Sequence, residues 1–144
     1  MARAIGLGYP GGPKIEKAAH EGDPYAISFT RPKVSDGVYD FSFSGLKSAV
    51  LNYINGAQMK GESVNEADIA ASFQQTVIDT LCDHASRAID EFGMDKFAIA
   101  GGVASNQTLR AAMEDMCAKR CKILSSFSNT VHRQCSHDWR CCLL

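Results

Sequence analysis

Apolar residues recur along this chain with two spacings. The stronger runs from Glu66 to Phe92, where Ile69, Phe73, Val77, Leu81 and Ala85 stand four apart, with Ile78, Ile89 and Phe92 beside them. Side chains four apart share one helical face, so the spacing predicts one long amphipathic helix, ended by Gly93. Leu109, Met113 and Met116 repeat the helical spacing and predict a helix over 106–119. Alternation replaces it at Val38 to Phe43, where Tyr39, Phe41 and Phe43 share one side and predict a strand. Lys96 to Ala100 reads as a short buried strand, and Ala26 to Phe29 as another short one.

Glycine and proline punctuate these runs. Residues 6–13, Gly-Leu-Gly-Tyr-Pro-Gly-Gly-Pro, form a loop, and Pro13 suits the first turn of a helix from Lys14 to His20 that stops near Gly22. Residues 23–37 are an irregular connection. Ser44 is the expected N-cap of a helix from Leu46 to Ile54, and 55–65 read as a polar surface loop. Strands alternating with helices argue α/β, and no internal repeat or low-complexity tract is present.

Composition adds limits. The 144 residues suffice for one domain with a hydrophobic core, and 45% apolar against 22% charged is ordinary for a globular protein. A formal net charge of -1 gives no general attraction to nucleic acid, so any RNA contact needs a local basic patch or a partner. No stretch approaches the roughly 18 apolar residues of a membrane span, and Met1 to Ala4 do not open a signal peptide. The expected location is cytoplasmic, with no membrane partner. Cys82 stands alone, while Cys117, Cys121, Cys135, Cys141 and Cys142 crowd the C-terminal end. His20, His84, His132 and His137 form no metal-spaced pair, and His84 is expected to be exposed. Cys117, Cys121, His132, Cys135 and His137 match no standard zinc spacing.

Three junctions carry candidate chemistry. At Phe97 to Asn106 a strand runs into Gly101 and Gly102 and then a helix. Backbone without a Cβ lets a ligand approach closely, and a helix N-terminus offers free N–H groups. Asn106 would contact a nucleoside or phosphate. The plainer reading is a tight turn with Ser105 or Asn106 as N-cap. Gly8 to Pro13, with Gly11 and Gly12, opens a second helix, and Glu16 one turn later could accept from a ribose. Its plainer reading is a first-turn carboxylate favoured by the helix dipole. Asp40 to Lys47 places Ser42, Ser44, Gly45 and Lys47 at a third turn, a phosphate cradle or simply a capped helix.

Read together, GYPGGP, DFSFSGLK, ADIAASFQQTVIDTL and AGGVASNQTLR occur in order at natural spacing. The chain resembles, over residues 2–120, the tRNA adenosine threonylcarbamoyltransferase family, once described as O-sialoglycoprotein endopeptidases or glycoproteases. The resemblance implies one lobe of a longer two-lobed protein with an actin/Hsp70-like (ASKHA) ATPase-type fold. It implies transfer of threonylcarbamoyl from threonylcarbamoyl-adenylate, made by a separate synthase, to N6 of adenosine 37 in tRNAs reading codons that begin with A. Gly11, Gly12, Glu16, Ser44, Gly101, Gly102 and Asn106 would serve the nucleotide. Implied partners are tRNA, the adenylate and other proteins of the modification, including an inactive paralogue.

The departures are as specific. The family's iron or zinc is held by a His-x-x-x-His pair and by an Asp in a Cys-Thr-Asp-Asn segment, and this sequence has neither, so no metal ligand and no catalytic residue is assigned. The family's Phe-Asp-Lys segment would fall before Met1. The sequence therefore reads as a truncated family domain over 1–122, inactive alone, followed by a tail at 123–144 in a shifted frame. Phe127 to Cys135 can be encoded TTC TCC AAT ACT GTG CAC CGA CAA TGC, which one base later reads Ser-Pro-Ile-Leu-Cys-Thr-Asp-Asn. Such a tail is expected to be poorly packed. The alternatives are a metallopeptidase, as the older family description has it, and a non-catalytic interaction module.

Overall fold

The computed structural model describes residues 1–31, 39–118 and 120–125. They form an α/β arrangement of four helices, α1 (Gly11–Ala19), α2 (Ser44–Lys60), α3 (Glu66–Phe92) and α4 (Gln107–Cys117). Two strands, β1 (Lys96–Ile99) and β2 (Lys122–Ser125), and a 3-10 turn over Gly102–Ser105 complete it. The chain divides into two compact units, Met1–Ala85 and a second that begins at Ser86.

The first unit is built on the facing apolar sides of α2 and α3. Leu46 and Val50 from α2 pack with Ile69 and Ala70 from α3, and Ile5 and Phe29 close the cluster. Each such aliphatic side chain contributes ~1.5–3 kcal/mol on burial. Phe29 and Tyr53 meet edge to face with ring centroids 6.1 Å apart.

Side chains of α3 hold the segment before the second helix. The Asp23 N–H donates to Asp68 Oδ1 (2.9 Å), and Asn65 Nδ2 donates to Asp68 Oδ2 (2.8 Å). Asn65 Oδ1 accepts from the Ala67 N–H at 3.0 Å and so caps α3. The Ile27 N–H donates to Ser72 Oγ (3.1 Å), and Arg31 pairs with Asp79 (3.0 Å) and Asp83 (3.5 Å). This lacing explains why the expected strand over 26–29 does not form: Ile27 gives its N–H to a helix side chain, not to a ladder.

The other expected strand fails similarly. Its first residue, Val38, lies outside the described residues, and 39–43 are irregular. Phe41 and Phe43 do not alternate along a sheet face but pack on each other, centroids 5.3 Å apart. Phe41 also packs on His84 at 5.1 Å. His84 is therefore half-buried, with Nδ1 2.8 Å from the Thr80 carbonyl, and not exposed as expected.

The long helix forms over the predicted range, and Gly93 ends it at φ 59°. Its burial is broader than one stripe. Ile69 is buried and Phe73, Val77, Leu81 and Ala85 half-buried, but Ser72, Thr76 and Thr80 are buried too. Thr76 Oγ1 donates to the Ser72 carbonyl (2.8 Å) and Thr80 Oγ1 to the Thr76 carbonyl (2.7 Å), so this polar stripe is buried with its hydroxyls satisfied. The second helix exceeds its predicted range of Leu46 to Ile54, running through Asn55 and Gly56 to Lys60. Burial of Ala57 offsets the poor propensity of those two residues, and Gly61 at φ 71° ends the helix. The first helix begins at Gly11, earlier than the Lys14 expected.

In the second unit β1 and β2 pair in parallel, Phe97 opposite Ile123 and Ala98 opposite Leu124, with α4 as the crossover. Ile89, Ala104, Leu109, Met113 and Cys117 are buried here. β1 is not the buried strand expected: Lys96 and Ala98 are exposed, Phe97 and Ile99 half-buried. The sequence reading had no β2, and the expected domain boundary at 122 falls at its first residue. Most of the tail expected over 123–144, from residue 126 on and with His132, Cys135, His137, Cys141 and Cys142, lies outside the described residues.

Candidate functional site

The opening of α1 begins with Gly8 at φ 73°, followed by Tyr9 and by Pro10 at the N-cap position. Pro10 has no side chain able to cap, so no side-chain hydrogen bond closes this helix start. Gly11 and Gly12, expected in a loop, are its first two helical residues, and they differ in kind. A Cβ on Gly11 would stand 3.2 Å from the Ala2 Cβ, a packing reason for glycine. A Cβ on Gly12 would meet nothing within 4 Å, so its Cα faces open space. Glu16 is half-buried one turn later, its carbonyl accepting the His20 N–H at 3.2 Å.

At the start of α2 the expected cap does not form. Phe43 holds the N-cap position and Ser44 is the first helical residue. The Ser44 N–H donates to Ser42 Oγ (3.3 Å), and the two hydroxyls lie 2.7 Å apart. Phe43 has no polar side chain, so α2 starts without a side-chain cap, and the Ser42–Ser44 contact is a local turn just before it. Lys47 is exposed on the first turn.

The junction between β1 and α4 follows the plainer expectation and keeps the other open. Gly101 sits at φ 88°, ψ -179°, a backbone state essentially reserved for glycine. Neither Gly101 nor Gly102 has an atom within 4 Å of its would-be Cβ. Asn106 caps α4, its Oδ1 accepting the Leu109 N–H at 2.8 Å. Its carbonyl accepts from Arg110 at 3.1 Å, so the residue fixes where the helix begins.

Gly11, Gly12 and Glu16 therefore share the start of α1, Ser44 stands at the start of α2, and Gly101, Gly102 and Asn106 share the junction in the second unit. Among the described residues no group of three or more His, Cys, Asp and Glu side chains could hold a metal ion. Cys82 is a reduced thiol outside any disulfide, and its pKa is pushed up by burial first, then by Asp79 and Asp83. It is poorly suited to act as a nucleophile. Sequence reasoning did not single out Tyr9 and Lys14, beside the first junction, although both stand in or next to the GYPGGP motif.

The family model described as TsaD, tRNA N6-adenosine threonylcarbamoyltransferase, matches residues 1–129. The chain belongs to this family. It is 55% identical over 120 residues to the tRNA N6-adenosine threonylcarbamoyltransferase of Clostridium botulinum (strain 657 / Type Ba4), covering 83% of this chain and 35% of that protein. The enzyme of the same name from Clostridium novyi (strain NT) is 59% identical over 114 residues, 78% of this chain and 33% of the relative. That of Clostridium perfringens (strain 13 / Type A) is 56% identical over 110 residues, 76% of this chain and 32% of the relative. The chain thus spans about a third of the length of the curated family members it matches.

Proposed function

We propose that this chain carries part of the adenylate-handling surface of a tRNA N6-adenosine threonylcarbamoyltransferase, within one lobe of an actin/Hsp70-like fold. The observation that carries the reading is the family match over residues 1–129, which spans glycine junctions whose Cα atoms face open space at Gly12, Gly101 and Gly102. In the reaction, the N6 amine of adenosine 37 attacks the carbamoyl carbon of threonylcarbamoyl-adenylate. The new C–N bond forms, the C–O bond to phosphate breaks, AMP leaves and N6 loses a proton. This chain's share is to bind and orient. In the first unit Gly12 lets backbone approach a nucleotide and Glu16 accepts from a ribose; in the second unit the Gly101–Gly102 pair offers the same close approach at a β1–α4 turn that Asn106 holds in position. At the start of α2, in the first unit, Ser44 offers a hydroxyl to a nucleotide.

The iron or zinc of the family has no fitting donor set among the described residues. By itself the chain binds but does not turn over. Its partners are tRNA, the adenylate and the other proteins of the modification, including an inactive paralogue, in the cytoplasm. No helix among the described residues is long and apolar enough to cross a membrane. The tail at 123–144 is read as a shifted frame that hides the Cys-Thr-Asp-Asn segment. Resequencing the DNA tests that, and a sequence with no such segment in a neighbouring frame contradicts it.

Titration of the isotope-labelled chain with AMP tests the binding role. The reading expects amide shifts concentrated at Gly11, Gly12, Gly101 and Gly102. Shifts confined to other residues, or none at millimolar AMP, would count against it.

A further inference from the structure

The net charge of -1 leaves open where an RNA could be held. The first twenty residues answer differently from the whole. They carry Arg3, Lys14 and Lys17 against Glu16, and the three basic residues are exposed while Glu16 is half-buried. Within this basic stretch stands Tyr9, 80% exposed, with no ring contact or side-chain hydrogen bond among the described residues. A lone exposed aromatic is common on protein surfaces, but this one is set in a constrained backbone. Gly8 before it has φ 73°, and Pro10 after it has its own φ fixed by the ring. The Lys14 side chain folds back over that turn, its Nζ 3.4 Å from where a Gly8 Cβ would stand. An ammonium group thus lies at the residue next to the ring.

A presented aromatic with cations on both sides in the chain is the arrangement that holds unpaired nucleic-acid bases. The ring stacks on the base while the cations track the phosphates. A small adenylate fits the position less well, because small ligands bury most of their surface in a concavity and this ring projects into solvent.

We infer that Tyr9 is a stacking platform for the unpaired base at position 37 of the substrate RNA, with Arg3, Lys14 and Lys17 supplying the phosphate contacts. This rests on the transferase reading for the identity of the RNA, but its test does not require turnover. The 144-residue chain is titrated, by fluorescence anisotropy, into an unmodified anticodon stem-loop RNA with adenosine at position 37 and into the same RNA abasic there. Stacking is worth ~1–3 kcal/mol per base, so Tyr9→Ala should weaken the intact stem-loop by roughly 5- to 150-fold. It should leave the abasic RNA nearly unchanged. Tyr9→Phe and Tyr9→Trp should bind like the parent, since the ring and not the hydroxyl carries the contact. Lys14→Ala should weaken both RNAs alike and reduce the salt slope by about one.

Equal affinities of the parent and Tyr9→Ala for the intact stem-loop would overturn the proposal, as would equal losses on both RNAs or no binding by the parent chain. Competition of AMP with the Tyr9-dependent signal would reassign the ring to the adenylate and overturn it too. The outcomes separate from those of the transferase reading. If AMP binds at the glycine junctions and Tyr9→Ala is silent, only the platform falls. If AMP leaves those junctions untouched and Tyr9-dependent RNA binding persists, the chain is an RNA-binding module and the adenylate reading falls.

Discussion

A Cβ placed on Gly22 would stand 2.1 Å from the carbonyl oxygen of Ala67, where the chain crosses the first turn of α3. Backbone cannot yield there as a flexible side chain could, so Gly22→Ala should destabilise the first unit by ~1–3 kcal/mol or more, read as a lower denaturant midpoint. Gly12 is the opposite case. Its Cβ would meet nothing within 4 Å, and alanine is the better helix former, so Gly12→Ala should hold or raise stability by up to ~1 kcal/mol while weakening AMP binding. A loss of both together would mean that Gly12 is there for the fold. The raised pKa of Cys82 gives a third residue-scale expectation. The folded state holds the thiol proton more tightly than the unfolded chain does. Stability from this group is therefore full below the ordinary thiol range and falls as pH rises through it. At pH 8 the iodoacetamide alkylation rate at Cys82, followed by peptide mass mapping, should be below that of the unfolded chain. Asp79→Asn and Asp83→Asn should raise it, and unchanged rates in both variants would contradict the charge contribution.

At the scale of elements, helical periodicity was the legible signal. The range Glu66–Phe92 was readable because eight apolar residues keep register over 27 positions and Gly93 marks the end, whereas the Asn65 cap at the start is seen only in the structure. The first two helices were read too short, because glycine and asparagine in Gly11, Gly12, Asn55 and Gly56 argue locally against helix while packing of their neighbours overrides them. The two missing strands show the converse. Aromatic alternation at Tyr39, Phe41 and Phe43 looks like a strand, but Phe41 packs on Phe43 and on His84, a residue some forty positions away that no local pattern points to. β2 went unread because Lys122 to Ser125 is too short to show a period. The glycines of the candidate site were readable as such, but which of them faces open space was not, because that depends on Ala2 beside Gly11. One expectation belongs here. Asn106→Ala should cost the second unit ~1 kcal/mol through loss of the α4 cap, and Asn106→Asp, which keeps an acceptor, should cost less. Equal losses in thermal melts would mean that the Leu109 contact is not what the side chain contributes.

For the whole molecule, the two units divide the proposed work. The first holds the α1 and α2 openings and the basic stretch around Tyr9, and the second holds the Gly101–Gly102 turn. Family membership follows from the match over residues 1–129, and the chain covers about a third of its relatives' length. The central claim is that this segment is competent to serve in threonylcarbamoyl transfer. Grafting offers the most direct test, because the chain is 55% identical over 120 residues to the Clostridium botulinum enzyme. The matching segment of that enzyme is replaced by this chain's, and the chimera is incubated with threonylcarbamoyl-adenylate and unmodified tRNA. The modified nucleoside is then measured by mass spectrometry. The account predicts product from the chimera, lost when Glu16 or Asn106 is changed to alanine. A folded chimera that forms no product would contradict it.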